Sequence, residues 1–173
     1  MSNTWLYQPG SHNMTDSMGN EEFFWKGHPI QDFFSLGIMC IGWDAIGDLS
    51  HYASQKDIQE SIDSLYEDES RGGWTAWAFL NTMQEGDIIY VKDGCKAIIG
   101  KGVVSSGYFY DSGRSRFCHT RKVEWTDCNI PFDLAGYRAT LTRITGKDIE
   151  KSLDKLQMPP MRIIHPVGQM SEK

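Results

Sequence analysis

The side chains with the widest chemical reach in this chain are four cysteines, five histidines and a dense aromatic set of six Trp, seven Tyr and eight Phe. Cys40, Cys95, Cys118 and Cys128 show no CxxC and no pairing rhythm, which reads as reduced thiols of a cytoplasmic protein. Cys118 and His119 are adjacent, but Cys128 stands nine residues beyond His119, so the tight ligand pairs of a structural zinc site are missing. No cysteine has a histidine at a spacing that would make it a nucleophile. His12, His28, His51, His119 and His165 are scattered, without an HExxH or HNH-like cluster. Gly100-Lys101-Gly102 lacks the third glycine of a phosphate loop and sits inside a strand pattern, where close packing or a bulge accounts for it. Lys122 and Glu124 could be paired on paper as nuclease groups, yet KVEW reads as a strand with Val123 and Trp125 facing the core. No catalytic residue, metal or cofactor is expected.

The aromatics offer a different chemistry. Trp25 closes the strand candidate EFFWK, and Trp43 closes IMCIGW at the mouth of the loop DAIGDLS. Tyr108 and Tyr110 follow the strand that ends at Val104. An extruded base needs flat apolar walls and a few groups that hydrogen-bond its edge. Asp48 with the hydroxyl and backbone of Ser50 could supply an acceptor and donors beside Trp43. The rival reading is that all of these rings fill the core of an aromatic-rich domain.

Charge sharpens the choice. The chain has 17 Lys plus Arg against 23 Asp plus Glu, a net charge of −6. Such a balance opposes indiscriminate phosphate binding. Its distribution is uneven, however. Residues 1–70 carry twelve acids and only Lys26 and Lys56 as bases, whereas Lys92 to Lys122 carry seven bases against Asp93 and Asp111. That stretch holds Lys101, Arg114, Arg116, Arg121 and Lys122, an expected anion-facing patch.

These residues need elements to position them. Residues 1–20 are polar and aperiodic with Pro9, Gly10 and Gly19, and read as a flexible N-terminal arm. QDFFSL suits a helical turn ending at Gly37, and IMCIGW a doubly buried strand. Ser54 to Asp57 has capping-box spacing, and Ile58, Ile62, Leu65 and Tyr66 follow at helical intervals. After the break Arg71-Gly72-Gly73, the residues Trp74, Trp77, Ala78 and Met83 mark a second helix. Ile88–Val91 and Ala97–Val104 read as a hairpin across Asp93-Gly94. Tyr108–Tyr110, Phe117–His119, Lys122–Trp125 and Ala139–Ile144 read as further strands, and Thr145 as the cap of a helix from Lys147 to Leu156. Helices early and strands late give an α+β domain over 21–157, with a C-terminal tail at 158–173. No apolar run is long enough to span a bilayer, and no signal peptide is read.

In order and spacing, the words FFWKG, DFFSLGIMCIGWDAIGDLSHY, SQKDIQESIDSLY, AWAFLNTMQEGDIIYVKDG, IIGKGVVSSGYFYD, and FCHTRKVEW followed by IPF cover about two thirds of the chain. This span resembles the EVE/YTH-like members of the PUA superfamily. Within them it looks most like the N-terminal DNA-binding domains of McrBC-type modification-dependent restriction systems. The resemblance implies a strongly bent, barrel-like sheet with flanking helices and a pocket for a flipped, methylated base. It implies Trp43 as one wall, Trp25 as the entrance or another wall, and Tyr108 and Tyr110 near the place of another aromatic. Asp48 and Ser50, in the adjoining loop, are the candidates for reading the base edge. Lys101, Arg114, Arg116, Arg121 and Lys122 would meet flanking phosphates. The partner implied is DNA carrying a modified base. The restriction proteins continue into a motor or nuclease, and neither is present in these residues, so that activity would belong to a partner or a fused domain. Two rivals remain at this stage: a YTH-like reader of methylated RNA, and a small hydrolase of modified nucleosides.

Overall fold

The structure, a computed structural model, describes residues 2–9 and 30–158. The elements in chain order are β1 (Thr4–Tyr7), α1 (Ile30–Leu36), β2 (Ile38–Ile41), α2 (Gln55–Leu65), α3 (Gly72–Trp77), β3 (Ile88–Asp93), β4 (Ala97–Val104), β5 (Phe109–Tyr110), β6 (His119–Pro131), β7 (Leu141–Arg143) and α4 (Lys147–Asp154). Two 3-10 turns, Asp44–Ile46 and Leu49–His51, fill the loop after β2, and a π turn over Ala78–Thr82 continues α3.

The strands make one curled sheet in the order β2-β6-β4-β3-β1-β7, with β5 also pairing β6. Its pairs are antiparallel except β1 with β3. The long strand β6 carries the curl. Its first four residues pair β2, and from Val123 onward it pairs β4. A register shift between Ile98 and Gly100 bends β4 against it. Both glycines of Gly100-Lys101-Gly102 serve this packing: a β-carbon on Gly100 would meet Phe34 at 2.6 Å, and one on Gly102 would meet Val123 at 2.4 Å. The fold is therefore α+β, a half-barrel of mixed sheet with flanking helices.

The main core lies between the concave sheet and α1, α2 and α3. Phe33, Phe34, Ile58, Ile62 and Phe79 meet Trp5, Met39, Val91, Val123 and Trp125 there. Trp125 stands edge-on to Phe34, and its Nε1–H donates to the carbonyl of Ile38 at 2.9 Å. A smaller core lies beyond the sheet, where Leu6, Tyr90 and Ile98 meet Leu134 and the α4 residue Leu153.

Sequence pattern and structure part company in four places. Residues 4–7 belong to no flexible arm: TWLY is an interior strand with all four side chains buried. Trp5 donates through Nε1 to Asp87 Oδ2 at 2.9 Å, and the Tyr7 hydroxyl bonds Cys40. A four-residue strand covered on both faces has no alternation to reveal it. The pair Gly72-Gly73 opens α3 rather than breaking the chain, because Ile62 and Gln59 of α2 press to within 2.8 Å and 2.7 Å of where their β-carbons would sit. Phe117–His119 and Lys122–Trp125 are not two strands, since β6 runs unbroken from His119. Gly146, not Thr145, stands at the head of α4, and no side chain caps it. The EFFWK strand candidate and most of the C-terminal tail lie outside the described residues.

Candidate nucleic-acid interface

Where β2 ends, the chain must leave the sheet beside β6, and it does so through an uncommon conformation. Trp43 has φ 64° and ψ 43°. This left-handed geometry costs a non-glycine residue about 1–2 kcal/mol, and it persists only where the surroundings over-determine it. Gly47 (φ 72°) then separates the two 3-10 turns. The indole of Trp43 is half-buried and rests on the main core, with Gly72 close enough that a β-carbon there would lie 3.4 Å from Cε2.

The loop from Trp43 to Ser50 closes its two turns with its own backbone bonds and is anchored by side chains from elsewhere. Tyr66, at the end of α2, accepts from the Ala45 amide at 3.2 Å. Tyr52 donates to the carbonyl of Ile46 at 2.6 Å, and Tyr110 of β5 to that of Asp44 at 3.4 Å. Tyr108 accepts from the Leu49 amide at 3.0 Å. His119, at the start of β6 and fully buried, contacts the Trp43 carbonyl through Nε2 at 3.1 Å and the Tyr108 hydroxyl through Nδ1 at 2.8 Å. In return, the Asp44 carboxylate accepts from the amides of Phe117 and Cys118 at 2.8 Å and 2.9 Å. It thereby fixes Phe117 at φ 55°, another left-handed residue.

Electrostatics follow this packing. Burial depresses the basicity of His119 below the usual imidazole range, against the pull of the Trp43 carbonyl, Asp44 and Asp48. Burial likewise raises the Tyr108 hydroxyl well above its ordinary value. Cys40 is pushed up to about 12 and Cys128 to about 11, both first by burial, so neither is a ready thiolate. All four cysteines are free. Asp48 is half-buried; burial pushes its carboxyl up, but the two bonds from Ser50, together with His51 and His119, outweigh it and hold the carboxyl below the ordinary value. Among the described residues no group of three or more His, Cys, Asp and Glu is placed to hold a metal ion. No helix among them is long and apolar enough to cross a membrane.

The structure brings Trp43, Asp48, Ser50, Tyr108 and Tyr110 into one neighbourhood and disperses the cations. Both Ser50 donors, the amide at 2.9 Å and the hydroxyl at 2.7 Å, point to Asp48 Oδ1, so they serve the turn. Arg121 is not a surface cation. It is 3 % exposed, and its guanidinium donates to the carbonyls of Phe79, Leu80, Met83 and Ser106 at 2.8–3.0 Å. The first three of those carbonyls end the π turn that continues α3, where a buried cation satisfies acceptors that lack helical partners, and Ser106 lies just after β4. Burial lowers Arg121 to about 10. Lys92 is also buried and donates to the Tyr137 carbonyl. Lys101 lies over Tyr90 of the smaller core, whereas Arg114 lies over Phe33 of the main core. The basic stretch therefore does not form one patch. Arg114 and Arg116 stand on the segment that Asp44 ties to the Trp43 loop, and Lys122 is exposed on β6. Trp25 lies outside the described residues. Sequence reading missed His119, Asp44, Tyr52 and Tyr66. The only local signal was the polar pair His119-Thr120 opening a buried strand.

A family model described as Domain of unknown function (DUF8426) matches residues 17–148. The chain belongs to this family. The DUF8426 span includes the Trp43 loop, the tyrosines that hold it and His119. No curated protein matches the chain. Among solved structures it is similar to the YTH domain of the Zygosaccharomyces rouxii MRB1 protein, determined in complex with N6-methyladenosine RNA. The identity is 14 %, the TM-score is 0.46, and the match covers 89 % of this chain and 85 % of that one.

Proposed function

We propose that this domain is a non-catalytic reader of a methylated base in DNA, which it takes out of the duplex and stacks against Trp43. The supporting observation is the half-buried indole held in a left-handed backbone by contacts from distant elements. Five tyrosine and histidine side chains bond this loop, and a loop with no task would not need them. Trp25 and Tyr110 are the further aromatic candidates, Asp48 the acceptor for the base edge, and Arg114 and Arg116 the nearest phosphate contacts. In this reading the domain is the recognition module of a restriction or defence system, with cleavage or translocation on another domain or chain.

The test is a binding titration of duplexes carrying one N6-methyladenine, 5-methylcytosine or 5-hydroxymethylcytosine beside an unmodified control, repeated with methylated single-stranded RNA. One modified duplex is expected to bind more tightly than the control. Trp43→Ala should then lose about 1–3 kcal/mol, the usual contribution of one stacked base. Equal affinity for all duplexes, unchanged by Trp43→Ala, overturns the proposal. Preference for the RNA moves the function to transcripts, where no duplex has to be opened.

A further inference from the structure

His119 belongs to neither the core nor the surface in its bonding. A carbonyl only accepts, so the contact with Trp43 O places the imidazole proton on Nε2. Nδ1 is then an acceptor, and the Tyr108 hydroxyl must donate to it. That leaves the Tyr108 oxygen to accept the Leu49 amide. One neutral ring thus ties the first residue of the loop, Trp43, and through Tyr108 its second turn at Leu49. Tyr108 stacks on the imidazole at 5.9 Å between centroids, and Tyr110 meets it edge-on at 5.3 Å.

We infer that His119 is the positioning residue of Trp43, with Tyr108 locking its tautomer, so that the seat of the base-stacking wall changes when the imidazole is protonated. This rests on the reading of Trp43 as that wall. Protonation keeps the Nε2–H bond to Trp43 but sets a second N–H against the Tyr108 oxygen, so the hydroxyl must turn its own proton away and the ring and Tyr108 must re-seat. Two carboxylates, Asp44 and Asp48, face the ring and favour its protonation against the opposing effect of burial. Both Asp44 oxygens are engaged by Phe117 and Cys118, and Asp48 Oδ1 is engaged by Ser50. Tyr110 of β5 and Tyr108 just before it meet the ring; Cys118 precedes it in the chain, and exposed His51 acts on Asp48. Burial already disfavours the imidazolium.

The experiment uses the full chain labelled with 5-fluorotryptophan, with the Trp43 ¹⁹F resonance assigned by its loss in Trp43→Phe. Titrated from about pH 8 to about pH 5 without ligand, the Trp43 resonance should move with one midpoint below the ordinary histidine value of about 6.5. In His119→Gln, whose amide can still donate to the Trp43 carbonyl, the resonance should stay put. In Tyr108→Phe, which removes the bond that favours the neutral ring, the midpoint should rise. Affinity for the duplex bound at neutral pH should weaken as pH falls through the midpoint in the native chain and should not follow that midpoint in His119→Gln. A Trp43 resonance that ignores pH, or that moves alike in the native chain and His119→Gln, overturns the inference. Should His119→Gln not fold, the sign of the midpoint change in Tyr108→Phe decides alone, and an unmoved midpoint counts against it. If no nucleic acid binds through Trp43 yet the resonance titrates as described, the clamp stands and the reader function falls.

Discussion

The β3–β4 hairpin and the Trp43 loop solve the same problem in opposite ways. The hairpin satisfies its backbone with its own ladder, Ile88 to Asp93 against Ala97 to Val103, leaving side chains free to pack. The loop's own backbone bonds close only its two short turns, so Tyr52, Tyr66, Tyr108, Tyr110 and His119 are drawn from four other places to anchor it. The hairpin lies in the half of the chain with excess positive charge, the loop in the acidic half. Yet the cations nearest the hairpin include Lys92, which is structural, and the half-buried indole with its strained backbone is in the loop. Costly geometry held by distant side chains marks the candidate site more sharply than the charge count does.

The largest test of this contrast concerns a cation that looked functional. Arg121→Ala would strand four carbonyls around a buried gap, and should cost about 3–5 kcal/mol in urea unfolding. A change near zero, with weakened nucleic-acid binding, would return Arg121 to the surface as a phosphate contact. Asp44 gives the next largest effect. Asp44→Ala leaves two buried-side amides unpaired and should cost about 2–3 kcal/mol, while Asp44→Asn, keeping one acceptor, should cost less. Equal losses in both variants would mean that the carboxylate does not hold the Phe117 segment.

Much of the scaffold was legible because its signals are local. The Ser54 hydroxyl accepts from the Asp57 amide at 3.1 Å, as its spacing predicts, and Ile58 and Ile62 are buried on the face their intervals mark. β2 is buried throughout, and Val123 and Trp125 face the core. What could not be read depends on partners far away in sequence. Arg121 reads as a surface cation until the carbonyls of Phe79 to Met83 are brought to it across some forty residues. His119 reads as an isolated histidine until β6 lies beside the loop after β2. Trp43 was legible as a ring at a strand end, but its left-handed backbone was not, since no residue-type preference points there.

A smaller effect separates His119 from the other loop contacts by pH. Its folded basicity lies below that of the free side chain because burial penalises the cation. The stability it contributes is therefore fully present above about pH 6.5, the unfolded value, and is lost as pH falls toward and through the lower folded value. Urea midpoints measured from about pH 7.5 to about pH 5 should decline more steeply in the native chain than in His119→Gln. Parallel declines would assign the slope to carboxylates instead. The lowered Asp48 carboxyl has the same sign but acts in the more acidic window below about pH 4.

The finest distinction is between the cost of the loop's shape and the use of its ring. Trp43→Ala and Trp43→Gly both remove the indole from its seat against Gly72, so they lose that packing equally and should lose the same base stacking. They differ at the backbone. Alanine keeps the left-handed strain at φ 64°, and glycine relieves it. Trp43→Gly should therefore unfold at higher urea than Trp43→Ala, by about 1 kcal/mol, while the two bind any modified duplex with indistinguishable, weakened affinity. Equal stability would mean that residue 43 relaxes out of the left-handed region once the ring is gone. The indole, and not the side chains gripping the loop, would then set the backbone, and the contrast with the hairpin would rest on Trp43 itself.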